Sequence, residues 1–448
     1  MPLRTPTQHP VATAPPRSAR RWTPRALGER FRLELPDHAT TSHDVRPLLL
    51  VLGLPTFGLA FVITILTTYG PAVLIRIAHS PAKVGALIGG EGAFALVVPL
   101  LAGALSDRMP SSSPAGRRLP FVLLGAPLTG AAIALLPFAP NIQLAGAAIL
   151  VFFIGYYLYY PPYRAIYADL LPRRLFARAQ SGQAIQRGAG LGLALLAGGL
   201  LLNVWSPLPF VIGAAVLGVT TLALKPVARL QADCAGEEVD EAAPSARELF
   251  LSNRAMQRFA LANALWEFSF AGLKTFIVLY VVHGLGHSPA FASAVIAIVA
   301  VAYVGGAPIA GRLADRYGIV KVMTWAAAFY GAGLCYGIFP TSAPPMLVVF
   351  PFVAIAGAIL MTLPQALAFT IAPDSGQGAA AGLVDFSRGI GVVLGPVLVG
   401  AAVTAASSTL SGTHGYAAMW PAIGIPVLAS LLVLRRLQPS DLDGVNPH

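Results

Sequence analysis

Hydrophobic residues run along this chain in long blocks, without the two-residue alternation of a half-buried strand or the single stripe of a surface helix. Twelve blocks reach or approach the roughly 20 residues that a helix needs to cross the hydrocarbon of a bilayer. They cover 48–74, 84–105, 120–137, 144–167, 179–204, 208–224, 259–281, 290–311, 320–339, 345–371, 379–403 and 418–434. Gly and Pro recur inside them and are tolerated, because neighbouring helices can satisfy the freed backbone groups. The longest internal polar interval, 226–254, carries an acidic stretch at 237–241. The pattern predicts an all-α membrane protein with twelve transmembrane helices in two six-helix bundles, 47–225 and 255–437. A linker at 226–254 joins them, and tails at 1–46 and 438–448 flank them.

Composition agrees. Of 448 residues, 56% are hydrophobic and 11% charged, against about 25% charged in an ordinary soluble domain. The net charge of +11 does not point to nucleic acid, because the basic residues collect in alternate loops. With both termini in the cytoplasm, 24 of the 30 Lys and Arg are cytoplasmic and only Arg76 and Lys83 lie outside, as positive charge dictates. The first 46 residues hold eight Arg and four acids and lack a signal peptide's apolar core; they are expected to be a basic, disordered cytoplasmic tail. Cys234 and Cys335 form no disulfide framework or metal spacing, and no cofactor is expected. The expected location is a bacterial inner membrane.

Landmarks recur at a steady offset. Asp107-Arg108 and Asp315-Arg316 are 208 residues apart, while Pro172 and Pro373, and the Arg-Gly-x-Gly runs at Arg187 and Arg388, are 201 apart. An insertion in the first copy, before Gly116, accounts for the difference. Carriers commonly arise from such repeats, with a solute site near the midplane where the halves meet.

The loop motifs carry a resemblance. Gly311-Arg-Leu-Ala-Asp315-Arg316-Tyr-Gly318 closely matches the conserved loop of the major facilitator superfamily. The first copy, Ser106-Asp107-Arg108 followed by Gly116-Arg117-Arg118-Leu119-Pro120-Phe121, resembles the signature of glycoside–pentoside–hexuronide cation symporters and sucrose transporters. Pro162-Tyr163-Arg164-Ala165-Ile166-Tyr167-Ala168-Asp169-Leu170 is similar to a second motif of that group. Phe152-Phe153 stands where plant-type sucrose symporters carry a span-4 acid, and Glu91 is the sole acid of span 2. The resemblance implies a latch: Asp107 and Asp315 would abut the starts of spans 11 and 5, where helix dipoles favour anions. Arg108, Arg117, Arg118 and Arg316 would support it. The alternative for these charges is plain topology setting. The resemblance also gives Arg164 a role in solute binding or partner exchange, against that of a cytoplasmic anchor.

An ionisable group inside a span costs several kcal/mol unless paired or hydrated, so each is a functional candidate. Glu91 and Glu267 lie near mid-depth and are the expected proton-coupling acids. Lys274, two turns from Glu267 on one face, is a solute-binding candidate or a fixed partner for either acid. Asp385 and Arg388, at i and i+3, can pair on their own helix; with Arg187 they are read as gate charges. Tyr160, Gln186, Asn263 and Trp266 are candidates for solute contact, since rings beside hydrogen-bonding groups suit sugars.

The expected function is secondary active transport of a small organic solute, a sugar or glycoside favoured, by alternating access with proton-coupled symport. Sodium is the alternative coupling ion. A proton-antiporting exporter of drugs or metabolites is the competing function, followed by a non-transporting receptor. An enzyme is not expected, because the sequence carries no nucleotide loop, metal cluster or nucleophile–base arrangement. The expected partners are solute, coupling ion and lipid, with the monomer as the working unit.

Overall fold

The structure, a computed structural model, describes residues 46–107, 118–170, 176–225, 246–339, 343–372 and 377–437. The tail up to residue 45, Arg108, Arg117, the acidic stretch with Cys234, and the tail from residue 438 lie outside the described residues. Those described are helical, with no strand among them.

The first half comprises α1 (Arg46–Thr64, continuing through a π turn at Ile65–Tyr69 into Gly70–Ala78), α2 (Pro81–Asp107), α3 (Leu119–Leu135), α4 (Ile142–Leu170), α5 (Phe176–Val204) and α6 (Leu208–Leu222). After a short helix, Ala246–Ser252, come α7 (Arg254–Leu279, ending in a π turn at Tyr280–Gly284), α8 (Pro289–Tyr317), α9 (Ile319–Tyr336), α10 (Ala343–Thr362, resuming as Pro364–Ile371), α11 (Gln377–Ala405) and α12 (Met419–Leu434). Eleven helices are long and apolar enough to cross a membrane, and α6 is a shorter apolar helix in the twelfth place. The expected unbroken span at 345–371 breaks at Leu363, just before Pro364, which has no N–H to carry the helical ladder on.

Helix ends follow local chemistry. The Asn253 side chain accepts the Met256 N–H to start α7, and Ser288 accepts that of Phe291 to start α8. Gly318, at φ +86°, turns the chain between α8 and α9, a conformation that a Cβ disfavours. Buried threonines return their hydroxyls to their own helix, as Thr64 does to the Ala60 carbonyl at 2.7 Å, so they cost little within the apolar bundle. Val219, Val301, Phe352 and Leu432 stand exposed on their helices, an apolar exterior that suits lipid and not water.

The repeat is visible in the packing. Gly190 of α5 lies on the Phe57 carbonyl of α1, and 201 residues on, Gly391 of α11 lies on the Ala264 carbonyl of α7. Between the halves, Gly400 of α11 lies on the Pro81 carbonyl of α2, while its counterpart Gly199 of α5 lies on the Pro289 carbonyl of α8. A Cβ on any of these glycines would collide with that oxygen. Close approaches between the halves gather at the end away from the chain termini, from Pro81–Gly400 inward to Gly92–Gly389.

The two arms of this far-side seal differ. In one, the Tyr69 hydroxyl donates to the Leu195 carbonyl at 2.5 Å and meets the Ser293 hydroxyl at 2.5 Å, which accepts the Gly199 N–H at 2.8 Å. In the other, the Phe276 ring lies 3.4 Å from the Cβ position of Gly85 and 3.0 Å from that of Gly400. The first arm's hydrogen bonds centre on the buried Tyr69, whereas the second joins its apolar ring contact to one exposed bond, from the Ala82 N–H to the Thr404 hydroxyl at 3.1 Å.

Candidate functional site

The second glycine of each Arg-Gly-x-Gly run is the backbone contact just described, and it fixes the arginine one turn nearer the terminus side. Arg388 thus stands well inside α11, about 16 Å from its start and about 26 Å from its end at 1.5 Å per residue. Over half of its side chain is nevertheless exposed, 54%. Arg388 lies within electrostatic reach of Tyr157, Tyr160 and Glu91 of the other half. A mid-helix arginine open to solvent and facing the opposite half defines a cleft, whose floor is the Gly92–Gly389 contact next to it.

The Arg388 Nε approaches Glu267 Oε2 at 3.8 Å, with Glu267 17% exposed. Arg388 therefore turns to α7, whereas the sequence suggested a partner three residues away on its own helix. Asp385 is exposed and within electrostatic reach of Glu267. Lys274 is half-buried, also within that reach, and makes no contact ion pair among the described residues. Glu91 is buried, 8% exposed, and its Oε1 accepts the Tyr157 hydroxyl at 3.5 Å.

The acids break the repeat. By the offsets that relate the halves, Glu91 corresponds to Val299, and Glu267 to Ala60. The frame of the cleft is symmetric and its carboxylates are not.

On α4, Phe152, Tyr156 and Tyr160 stack in turn, with centroids 6.0 and 5.9 Å apart, one helical turn per ring. Tyr160 accepts Arg187 Nη2 at 3.2 Å, and Arg164 lies over its ring at 5.6 Å. Gln186 donates to the Leu50 carbonyl at 3.1 Å and leaves its own carbonyl oxygen unpartnered. Asn263 and Trp266 are interior. Asn263 donates to Ser387 Oγ at 2.8 Å and Trp266 to Ser430 Oγ at 2.9 Å, so both tie α7 to its neighbours and neither opens on the cleft. The sequence expected Asn263 and Trp266 to contact solute, but successive positions on α7 turn by about 100°, and it is Glu267 that takes the more open one.

Of the latch residues, Asp107 ends α2 with its side chain outside the described ones, and Arg118 is buried at the start of α3. Asp315 and Arg316 are exposed in the last turn of α8, with Arg316 over the Tyr317 ring at 5.2 Å. Sequence reasoning missed Tyr157 as the partner of Glu91, and Tyr303 of α8, which lies within electrostatic reach of Glu267 and Arg388. Neither carried a signal, since both contacts arise only when helices from distant segments meet.

A helical membrane protein of two related halves around a charged cleft is a transporter of small solutes, not an enzyme. The chain belongs to the Major Facilitator Superfamily, whose sequence profile matches residues 50–294 and 259–448. Solved structures share the fold. One is a bacterial homolog of the human lysosomal transporter Spinster, inward-facing and occupied, with TM-score 0.75 and 16% identity over 92% of this chain and 100% of that one. The nucleoside transporter NupG matches with TM-score 0.68 and 16% identity over 87% and 99%. A mutant of the peptide transporter POT in complex with sulfate matches with TM-score 0.68 and 14% identity over 90% and 96%. No curated protein sequence matches the chain.

Proposed function

We propose that this chain is a proton-coupled symporter that moves a small organic solute, a sugar or glycoside favoured, by alternating access. The observation that carries the proposal is the Glu267–Arg388 pair at 3.8 Å on the cleft floor. A carboxylate there can hold its arginine when ionised and release it when protonated, so a proton from one side changes the bond beside the contact of the two halves. Glu91, held by Tyr157 across the cleft, is a second proton acceptor. The phenolic stack of α4 offers ring faces and hydroxyl groups, which match the C–H faces and hydroxyl edges of a sugar. The loop resemblance to glycoside–cation symporters supports the same solute class. With both termini in the cytoplasm of a bacterial inner membrane, the open side is the cytoplasmic one. The exposed Asp315-Arg316 pair is then a latch in its released position.

A proton-antiporting exporter would use the same acids. Uptake into proteoliposomes under an imposed pH gradient, screened over sugars, glycosides and cationic drugs, separates the two. Gradient-driven accumulation of a sugar is expected, with accumulation lost in Glu267→Gln and reduced in Glu91→Gln. Accumulation intact in both variants would overturn the coupling assignment, and expulsion of drugs without sugar movement would establish the exporter.

A further inference from the structure

Glu267 and Lys274 mark one face of α7, and Phe270, at i+3 from the acid, lies on that face between them. Phe270 is half-buried. Tyr330 of α9 stacks behind it, centroids 5.4 Å apart and planes at 19°, and Tyr303 of α8 meets it edge-on at 6.1 Å and 67°. Tyr303 is half-buried and within electrostatic reach of both Glu267 and Arg388. The three rings thus form a back and a side wall next to the ion pair on the cleft floor.

The surrounding helices are shaped to hold these rings. Gly357 of α10 faces them: a Cβ there would stand 2.9 Å from Tyr330 Cε2 and 3.3 Å from Phe270 Cζ. Gly306 of α8 packs on α10 in the same way, with its Cβ position 3.0 Å from the Ile355 carbonyl and 2.8 Å from the Ala358 Cβ. Both glycines draw α8 and α10 together behind α7. Tyr330 is buried, 2% exposed, and its hydroxyl faces that of Ser269 on α7, so the ring is held from its polar end as well.

We propose that Phe270, walled by Tyr303 and backed by Tyr330, is the solute-binding platform of the second half, taking the ring face of a cyclic solute while its polar edge meets Glu267 and Arg388. The proposal rests on the transporter reading of the cleft and deepens it, because it selects ring-shaped solutes over open-chain ones of the same polarity. Phe270 and Tyr303 are then specificity residues, and Tyr330 and Gly357 position them. An aromatic contact of this type contributes a factor of roughly two to ten in affinity.

The test uses the full chain in proteoliposomes with four probes: methyl β-glucoside, phenyl β-glucoside, uridine and the open-chain polyol sorbitol. Wild type is expected to transport at least one cyclic probe in preference to sorbitol. For that probe Phe270→Ala should raise KM about tenfold with kcat within twofold, Phe270→Tyr should restore KM, and Gly357→Ala should raise KM as well. Leu261→Ala, at an exposed position of α7, should leave KM unchanged and controls for general damage to that helix. Unchanged KM in Phe270→Ala, or sorbitol carried as well as the cyclic probes, overturns the platform. Transport of uridine but of neither glucoside, with the Phe270 effect intact, upholds the platform and removes the sugar reading. Transport of none of the four overturns both.

Discussion

The Arg388 guanidinium sets the character of the cleft at the scale of single residues. A charge inside a spanning helix costs several kcal/mol unless paired or hydrated, and Arg388 has both remedies: Glu267 on one side and the open cleft on the other. Removing the carboxylate leaves the cation to water alone. Glu267→Gln is therefore expected to lower coupled transport by about tenfold or more, because the variant neither takes up a proton nor balances the arginine's charge. Solute exchange without a gradient should persist, and counterflow in proteoliposomes measures it. Exchange lost together with accumulation would place Glu267 in binding and not in coupling. Tyr157→Phe removes the donor to Glu91 at 3.5 Å, a long and weak contact, and should change uptake by less than about threefold.

Much of this residue chemistry was legible in the sequence and some was not. Glu91, Glu267 and Arg388 stood out because a charge in an apolar block is costly unless paired or hydrated, whether its role is functional or structural. The pairing of Arg388 with Glu267 was not legible, since the choice between Asp385 and α7 depends on which way α11 is rotated. That rotation is fixed by Gly391 against the Ala264 carbonyl. The glycines of the Arg-Gly-x-Gly runs were visible as a repeat, but their partners at Phe57 and Ala264 carry no mark in the sequence.

Among elements, the glycines of the two Arg-Gly-x-Gly runs divide into those in close contact and those in open space. Gly391 leaves no room for a Cβ, whose position is 2.5 Å from the Ala264 carbonyl, whereas Gly188 of α5 has nothing within 4 Å. Gly391→Ala should force α7 and α11 apart and cost about 1–3 kcal/mol, the usual toll of overpacking. A thermal-unfolding assay in detergent should register a lower midpoint. Gly188→Ala should leave the midpoint unchanged or raise it slightly, because alanine favours helix over glycine. Equal midpoints for the two variants would show that the α7–α11 contact is slack. The break of α10 at Leu363 belongs to this scale as well. Hydropathy runs across it without a change, and only Pro364 hinted at it.

For the whole molecule, the contacts between Pro81 and Gly400, and between Pro289 and Gly199, close the far side and must part when the two halves rock. Paired cysteines at Ala82 and Thr404, which meet across the halves at 3.1 Å, should form a cross-link on oxidation and reduce turnover to background, with recovery on adding a reductant. A cross-linked carrier that still turns over would mean that the far side does not open. Twelve helices, two halves and their offset could all be read from hydropathy and spacing, because each is a property of long segments. Which end of the bundle is closed could not, since the same sequence must close at either end during a cycle.

The unequal arms of the far-side seal have a consequence for how it parts. In the Tyr69 arm each broken hydrogen bond can be replaced by one to water, so that arm can loosen gradually and stay wet. In the Phe276 arm only the exposed Ala82–Thr404 bond makes that exchange, and the apolar surface around the ring must be hydrated as the arm parts. Opening at Tyr69 is then met by water bond for bond, while opening at Phe276 works against the hydrophobic contact. The carrier's cycle is in this sense a pump stroke against water activity: a membrane-impermeant osmolyte on the far side should slow the return step. Ser293→Ala, which dries the first arm, should steepen that dependence.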